Sequence, residues 1–381
     1  MSKKIVRGLN LGDVHFGHPK TKHMAEEELP FFLEYTRKHG KDIDFINLLG
    51  DFYDRKISLN EESSKLSKEF IDDLLGLCRE FNIKLRWIRG TKTHDFNQLD
   101  NFKHYQLYTD VDFRIITTVT EEEMFPEVSI LWIPEEYMHD QDEYYKEFLD
   151  ACSDGAKYDM IFGHGTWEHE AFTCQVQESE RNIKGSPVFR IKQWEDKVYG
   201  PIIFGHIHTH NVYKEKIYYT GSYSRWCYGE EKPKGFLDLT YDVESTEYKV
   251  KFIKNIHALD YTTVKLSEYI DADSTVDEKV AKIDELRLSL DNVRVKVDLE
   301  LVDEKAAIAI MKETFSSDND VRIDVSDKIK QQNEEEEKNE YDYVTSGEYD
   351  TKDVILMYTE NEEGVKISKD KLNELLLKPE E

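Results

Sequence analysis

The sequence predicts a mixed α/β fold, and three observations carry that expectation. Short runs of β-branched and aromatic residues alternate with amphipathic stretches from about residue 3 to residue 252. Five short clusters of Asp, His and Gly each follow an apolar run, at the strand ends where α/β folds build their sites. A smaller alternation of strand and helix then occupies residues 257–325, so a large α/β domain precedes a small α+β module.

In chain order, buried strands are expected at 5–11, 43–49, 83–88, 129–133, 160–162 and 202–204, all runs rich in apolar residues. Helices are expected at 25–38, 63–81 and 142–151, where apolar residues recur at helical spacing. Behind residue 208 the pattern becomes hairpin-like, with strands at 214–220, 235–241 and 248–253. The small module reads strand 262–266, helix 276–288, strand 293–301, helix 304–314 and strand 321–325. Residues 327–350 contain Glu334-Glu335-Glu336-Glu337 and read as a solvated acidic linker or an exposed helix. Structure is expected to resume in 351–381. There 354–358 is apolar, and Ser368 can cap a helix that carries Leu372, Leu375 and Leu376 on one side.

The 381 residues, 39% of them hydrophobic, suffice for two or three domains with an ordinary core. No apolar run reaches the roughly 18 residues of a membrane helix, and the N-terminal residues carry no signal-peptide pattern. Cys78, Cys152, Cys174 and Cys227 are scattered, which fits reduced thiols in a cytoplasmic protein. The formal charge of -28 rules out blanket attraction of nucleic acid, because the average field repels phosphates. Residues 331–381 hold 16 Asp and Glu against 6 Lys and Arg, a net -10, so part of that charge is segregated.

The five clusters are Asp13-Val14-His15, Gly50-Asp51-Phe52-Tyr53-Asp54, Gly90-Thr91-Lys92-Thr93-His94-Asp95, Gly163-His164 and Gly205-His206-Ile207-His208. Side chains two apart on a strand point the same way, so Asp13 and His15 can reach one ion. Alone, that pair reads better as a turn-capping aspartate beside a surface histidine. Asp51 follows an apolar run and a glycine that permits a sharp exit, and its two oxygens can bridge two cations. His206 and His208 repeat the two-residue spacing, and His164 at another strand end makes coincidence less credible. His169 and His210 are polar-context decoys. Gathered together, the clusters hold carboxylates and imidazoles for two divalent ions about 3.5–4 Å apart, a donor set that suits manganese, iron or zinc.

In this order the motifs D-x-H, G-D-x-x-D, a box like G-N-H-D, G-H and G-H-x-H resemble the signature of calcineurin-like metallophosphoesterases. Asp13-Val14-His15-Phe16-Gly17 and Gly50-Asp51-Phe52-Tyr53-Asp54 are most similar to the SbcD-type DNA repair and recombination nuclease subunits, in a phage-like variant. Protein phosphatases of that superfamily carry G-D-x-x-D-R-G and G-N-H-E, which this chain lacks. Tyr219-Thr220-Gly221-Ser222 resembles the family's Y-P-G-S segment, and Lys234-Gly235-Phe236 its K-G-F strand start. These motifs cover about residues 8–240; the small module resembles the family's DNA-capping domain only in the order of its elements.

The resemblance implies a β-sandwich flanked by helices over residues 1–255 and a capping domain over 256–326. An acidic linker at 327–350 and a partner-binding segment at 351–381 would follow. It implies that Asp13, His15, Asp51 and His208 bind a first ion and that Asp51 bridges to a second, also held by His164 and His206. Manganese is the favoured metal, with magnesium, iron or zinc as alternatives. His94 is implied as general acid or transition-state stabiliser, with Asp95 fixing its ring and Asp54 near the substrate. Water between the ions is implied as the nucleophile. The implied function is a manganese-dependent DNA exo- and endonuclease subunit of an SbcCD-like complex, partnered by an SbcC-type coiled-coil ATPase and by a second copy of itself. The expected location is cytoplasmic, or the host cytoplasm for a viral chain, with no membrane.

The third box departs from the family's Gly-Asn-His-Asp by two extra residues and a missing asparagine, the amide that ligates the second metal. Thr91, Thr93 and water are the candidates for its place. Two other readings compete with the nuclease: a phosphodiesterase for small or cyclic nucleotides, and a catalytically weak scaffold. The module after residue 252 and the tail favour DNA. Candidate DNA contacts are His18, Arg55, Lys56, Arg89, Lys92 and Arg225, with Tyr223 and Trp226 close by.

Overall fold

The computed structural model describes residues 5–297, except 109, 153–154, 156, 170–186, 229, 231, 272–273 and 290–291, together with 310, 312–314 and 321–325. Most of the expected helix 304–314, and all of the expected linker and terminal segment, lie outside those residues. The chain divides into two compact units, Met1–Tyr261 and Thr262–Glu381.

The first unit contains β1 (Ile5–Leu11), β2 (Phe45–Leu49), β3 (Lys84–Ile88), β4 (Phe113–Ile116), β5 (Thr120–Phe125), β6 (Val128–Ile133) and β7 (Met160–His164). It continues with β8 (Thr166–Trp167), β9 (Val188–Phe189), β10 (Ile202–Gly205), β11 (Asn211–Tyr213), β12 (Ile217–Tyr219), β13 (Gly235–Asp242) and β14 (Tyr248–Lys254). One six-stranded sheet runs β14-β13-β1-β2-β3-β4 and the other β11-β12-β10-β7-β6-β5. The centre of each sheet is parallel: β1 to β4 in the first, and β12, β10, β7 and β6 in the second. Parallel neighbours place several C-terminal strand ends on one edge.

Period-two alternation sorts the side chains into layers. In β2, Phe45 and Leu49 pack with Trp132, Phe162 and Ile203 of the second sheet. Ile46 and Leu48 turn the other way, onto Phe32 of the helix Leu29–His39 and Phe70 and Leu74 of the helix Glu62–Phe81. On the far side of the second sheet, Leu131, Ile161 and Phe204 pack with Tyr145 of the helix Gln141–Asp150 and with Trp194. The result is an α/β architecture of two face-to-face sheets flanked by helices.

Several elements differ from the sequence expectation, which has no strand at β4, β5, β8, β9 or β11. The expected strand 214–220 is a turn followed by β12, because Lys214 and Glu215 take left-handed φ of 49° and 52° and fold β11 back. The edge strand β5, not among the expected strands, carries three consecutive glutamates. Its Glu122 forms a two-fold ion pair with the buried Arg86 of β3, at 2.9 and 2.6 Å. The helix expected from residue 25 begins at Thr21 and passes through a π-helical turn, Met24–Glu28.

That turn buries Glu28, which accepts hydrogen bonds from Ser224 Oγ (2.8 Å) and Asn255 Nδ2 (2.7 Å). Burial pushes its carboxyl from 4.5 up to about 7. The folded state therefore holds this proton more tightly than the unfolded chain. Its contribution to stability is full below about 4.5 and is lost as pH rises through about 7. Glu28→Gln is expected to flatten this part of the pH–stability profile, removing a change of up to about 3 kcal/mol. Urea denaturation at a series of pH values checks it; an unchanged slope in the variant would refute the assignment.

The second unit carries β15 (Tyr261–Lys265), the helix Val276–Ser289, β16 (Asn292–Val297) and β17 (Val321–Val325), with sheet order β15-β16-β17. Val264, Leu266, Ile283, Leu286, Val293 and Val295 form its own core.

Candidate metal centre

Two loops at the ends of β1 and β2 run side by side. The Asp13 amide donates to the Gly50 carbonyl (3.2 Å) and the His15 amide to that of Asp51 (3.0 Å). In the second sheet, β7 and β10 pair so that Gly205 lies beside His164, which brings His206 to the same edge. Both sheets thus deliver ligand-type side chains to one place. Asp13, His15, Asp51 and His206 all have positive φ, of 51°, 56°, 46° and 95°. Non-glycine residues pay for that conformation, and it turns these side chains off their strands toward the site. Close approach also demands glycine at two positions. A Cβ on Gly50 would stand 2.3 Å from His164 Nδ1, and one on Gly90 2.2 Å from the Asp51 amide nitrogen.

The donor atoms fall into sets. Asp13, His15 and His208 place theirs within 4.8 Å of one another, and so do Asp51, His164 and His206. In the first set, His15 Nε2 and His208 Nε2 face each other at 2.9 Å. Asp13 Oδ1 accepts from the His206 amide (2.9 Å), while Oδ2 is buried with no hydrogen-bond partner among the described residues. In the second, His164 Nε2 lies 3.2 Å from Asp51 Oδ2. Outer partners orient the rings. His164 Nδ1 donates to the Leu49 carbonyl (2.7 Å), and His208 Nδ1 pairs with Glu230 Oε1 (2.9 Å).

The electrostatics match this division. Burial pushes the Asp13 carboxyl up to about 7 and the His15 ring down to about 4, which leaves His15 neutral with a lone pair to offer. Burial also opposes charge on His164 and His208, but Asp51 and Glu230 outweigh it and raise both. Glu230 is held down to about 2 against its own burial by the hydrogen bond with His208. Asp51 is likewise held well below the usual carboxylate range, chiefly by His164. With no ion beside them, protons on His164 and His208 offset the buried carboxylates; a divalent ion would take over that role as the rings release those protons and become donors. Together with the unpartnered Asp13 oxygen and the facing His15 and His208 nitrogens, these groups fit divalent ions in both sets.

The third box is arranged differently from the sequence expectation. Asp95 is buried and both its oxygens accept backbone amides. Its carboxylate accepts the amides of Phe52 (3.0 Å), Tyr53 (3.1 Å) and Gly90 (2.7 Å), and so ties the second and third clusters together. His94 Nδ1 contacts the Asp54 carbonyl. His94 forms a third set with His15 and Asp54, whose carboxylate lies 3.4 Å from His15 Nδ1. Asp54 is therefore a positioning group for His15 and His94. Thr91 supplies a hydroxyl to the second set, with Oγ1 3.0 Å from Asp51 Oδ2 and 3.4 Å from both His164 Nε2 and His206 Nδ1.

Glu135 escaped the sequence reading. It sits two residues beyond β6, with Oε2 3.6 Å from His164 Nε2 and 3.5 Å from His206 Nδ1. The available signal was a sixth strand end, Ile133-Pro134-Glu135-Glu136, which repeats the acid-after-strand pattern. Among the proposed DNA contacts, two are structural. The Tyr223 hydroxyl is buried and donates to the Glu28 carbonyl (2.6 Å), and buried Arg225 pairs with Asp260 (2.8 Å). His210 stacks on Phe252 and donates to the Tyr219 carbonyl, outside all three sets.

No protein-family model and no curated protein matches the chain. Among solved structures, GAP50, the anchor in the inner membrane complex of Plasmodium, is similar over 66% of this chain and 90% of its own. Its identity is 12% and the TM-score 0.36. A hypothetical protein from Thermus thermophilus is 11% identical over 66% of this chain and 100% of its own, with a TM-score of 0.36. Neither likeness is close enough to define a fold family or a function.

Proposed function

We propose that this chain is a dinuclear-metal phosphodiesterase of the calcineurin-like kind, and that it acts as a manganese-dependent DNA exo- and endonuclease subunit of an SbcCD-like recombination or repair complex. One observation carries the reading: two adjacent buried donor sets, Asp13/His15/His208 and Asp51/His164/His206, with the half-buried His94 against the first. Ions held there would polarise a phosphoryl oxygen and lower the pKa of water. The chain's own part is to keep His15 neutral through burial, to fix the His164 and His208 rings, and to hold His94 by the Asp54 carbonyl for proton exchange with a leaving oxygen.

A nucleotide substrate is supported by a cavity of about 290 Å³ that Glu135 shares with Arg89, Lys92, Phe96 and Tyr137. Glu136 lines it too, so its two cations are matched by two carboxylates, and it is the Phe96 and Tyr137 faces that suit a base. Partnership with an SbcC-type ATPase and pairing with a second copy belong to this proposal; the segment 351–381 that would dock lies outside the described residues.

The test compares linear duplex DNA with a generic small phosphodiester, each with manganese. Degradation of the duplex is expected at the lower enzyme concentration. Cleavage of the small ester alone would overturn the nuclease assignment and leave the phosphodiesterase for small nucleotides.

A further inference from the structure

We propose that Glu135 takes the place of the family's missing asparagine as a ligand in the second metal set, a step that rests on the dinuclear reading above. Ligand atoms about 2.0–2.2 Å from a shared ion stand about 3.0–3.6 Å from one another, from octahedral to tetrahedral arrangement. Three donor pairs around the second set fall in that range. His164 Nε2 is 3.2 Å from Asp51 Oδ2 and 3.6 Å from Glu135 Oε2, and His206 Nδ1 is 3.5 Å from Glu135 Oε2. Thr91 Oγ1 lies 3.2 Å from the same glutamate oxygen.

The carboxylate is built into position. Its backbone amide donates to the Arg89 carbonyl (3.2 Å), which joins the end of β6 to the start of the Gly90 box. The Tyr137 hydroxyl donates to Oε1 (2.7 Å), so that oxygen is occupied and Oε2 is the one turned to the imidazoles. The side chain is buried, where a carboxylate needs strong compensation for lost solvation. A divalent ion beside Asp51 supplies it. The altered third box then has a physical counterpart: an anionic oxygen from another strand end substitutes for a neutral amide. Two carboxylates in this set bind a divalent ion more tightly than one carboxylate with an amide.

The experiment follows manganese uptake by the full chain after chelation and dialysis, with the ion count by emission spectroscopy and paramagnetic resonance for a coupled pair. Wild type is expected to take two ions and show the coupled signal. Glu135→Ala is expected to keep the first ion and to weaken the second at least about 100-fold, with loss of coupling. Glu135→Gln restores an amide oxygen of the same length and is expected to keep two ions, the second about tenfold weaker. Because the Gln variant preserves volume, it carries the test if the Ala variant does not fold. Wild-type affinity and coupling in both variants would overturn the role of Glu135. Fewer than two ions in wild type would instead overturn the dinuclear reading, and this ligand with it.

Discussion

Replacing His94 with glutamine is expected to lower phosphodiester cleavage about 10²–10⁴-fold, the usual span for a general acid. His94 is half-buried and stands with His15 and Asp54 rather than with the Asp51 set. Its Nδ1 meets the Asp54 carbonyl, so that nitrogen carries the proton and Nε2 is the one for exchange. Glutamine keeps a donor for the carbonyl and cannot relay a proton. Both ions should therefore remain while turnover falls. Metal content and kcat, measured on the same preparation, separate these effects. Unchanged turnover with two ions bound would place the acid elsewhere.

His206→Ala should be at least as severe, by a different route. The ring reaches Thr91 Oγ1 at 3.4 Å and Glu135 Oε2 at 3.5 Å, so its loss opens the second set. The backbone amide that donates to Asp13 Oδ1 survives the change, and the first set should stand. Cleavage is expected to drop about 10³-fold or more, because an ion's charge stabilisation is worth several kcal/mol and each ~1.4 kcal/mol is tenfold. Metal content should fall from two ions to one. Loss of activity with two ions retained would show that His206 acts on the substrate instead.

The fold was legible where packing follows period. Strands such as β2 and β7 are buried on both faces and show as mostly apolar runs. The edge strand β5 was not legible, because its Glu122 is accommodated by Arg86 of β3 and its Glu121 by Lys157, partners that only tertiary structure supplies. The same limit applies at the site. Asp13, His15, Asp51, His164, His206 and His208 announce themselves as clusters at strand ends, and the structure brings all six together. Asp95 and Asp54 were legible as site residues, whereas the Phe52 and Gly90 amides that Asp95 accepts carry no sequence signature. Glu135 was hidden for a related reason: it joins His164 and His206 across the sheet, where spacing along the chain says nothing.

Two ions are proposed to share this edge of the sheets. Anomalous scattering from manganese-soaked crystals of the full chain tests this most directly. Two peaks about 3.5–4 Å apart are expected, one contacted by Asp13, His15 and His208 and the other by Asp51, His164 and His206. A single peak, or two peaks away from these six residues, would contradict the proposal.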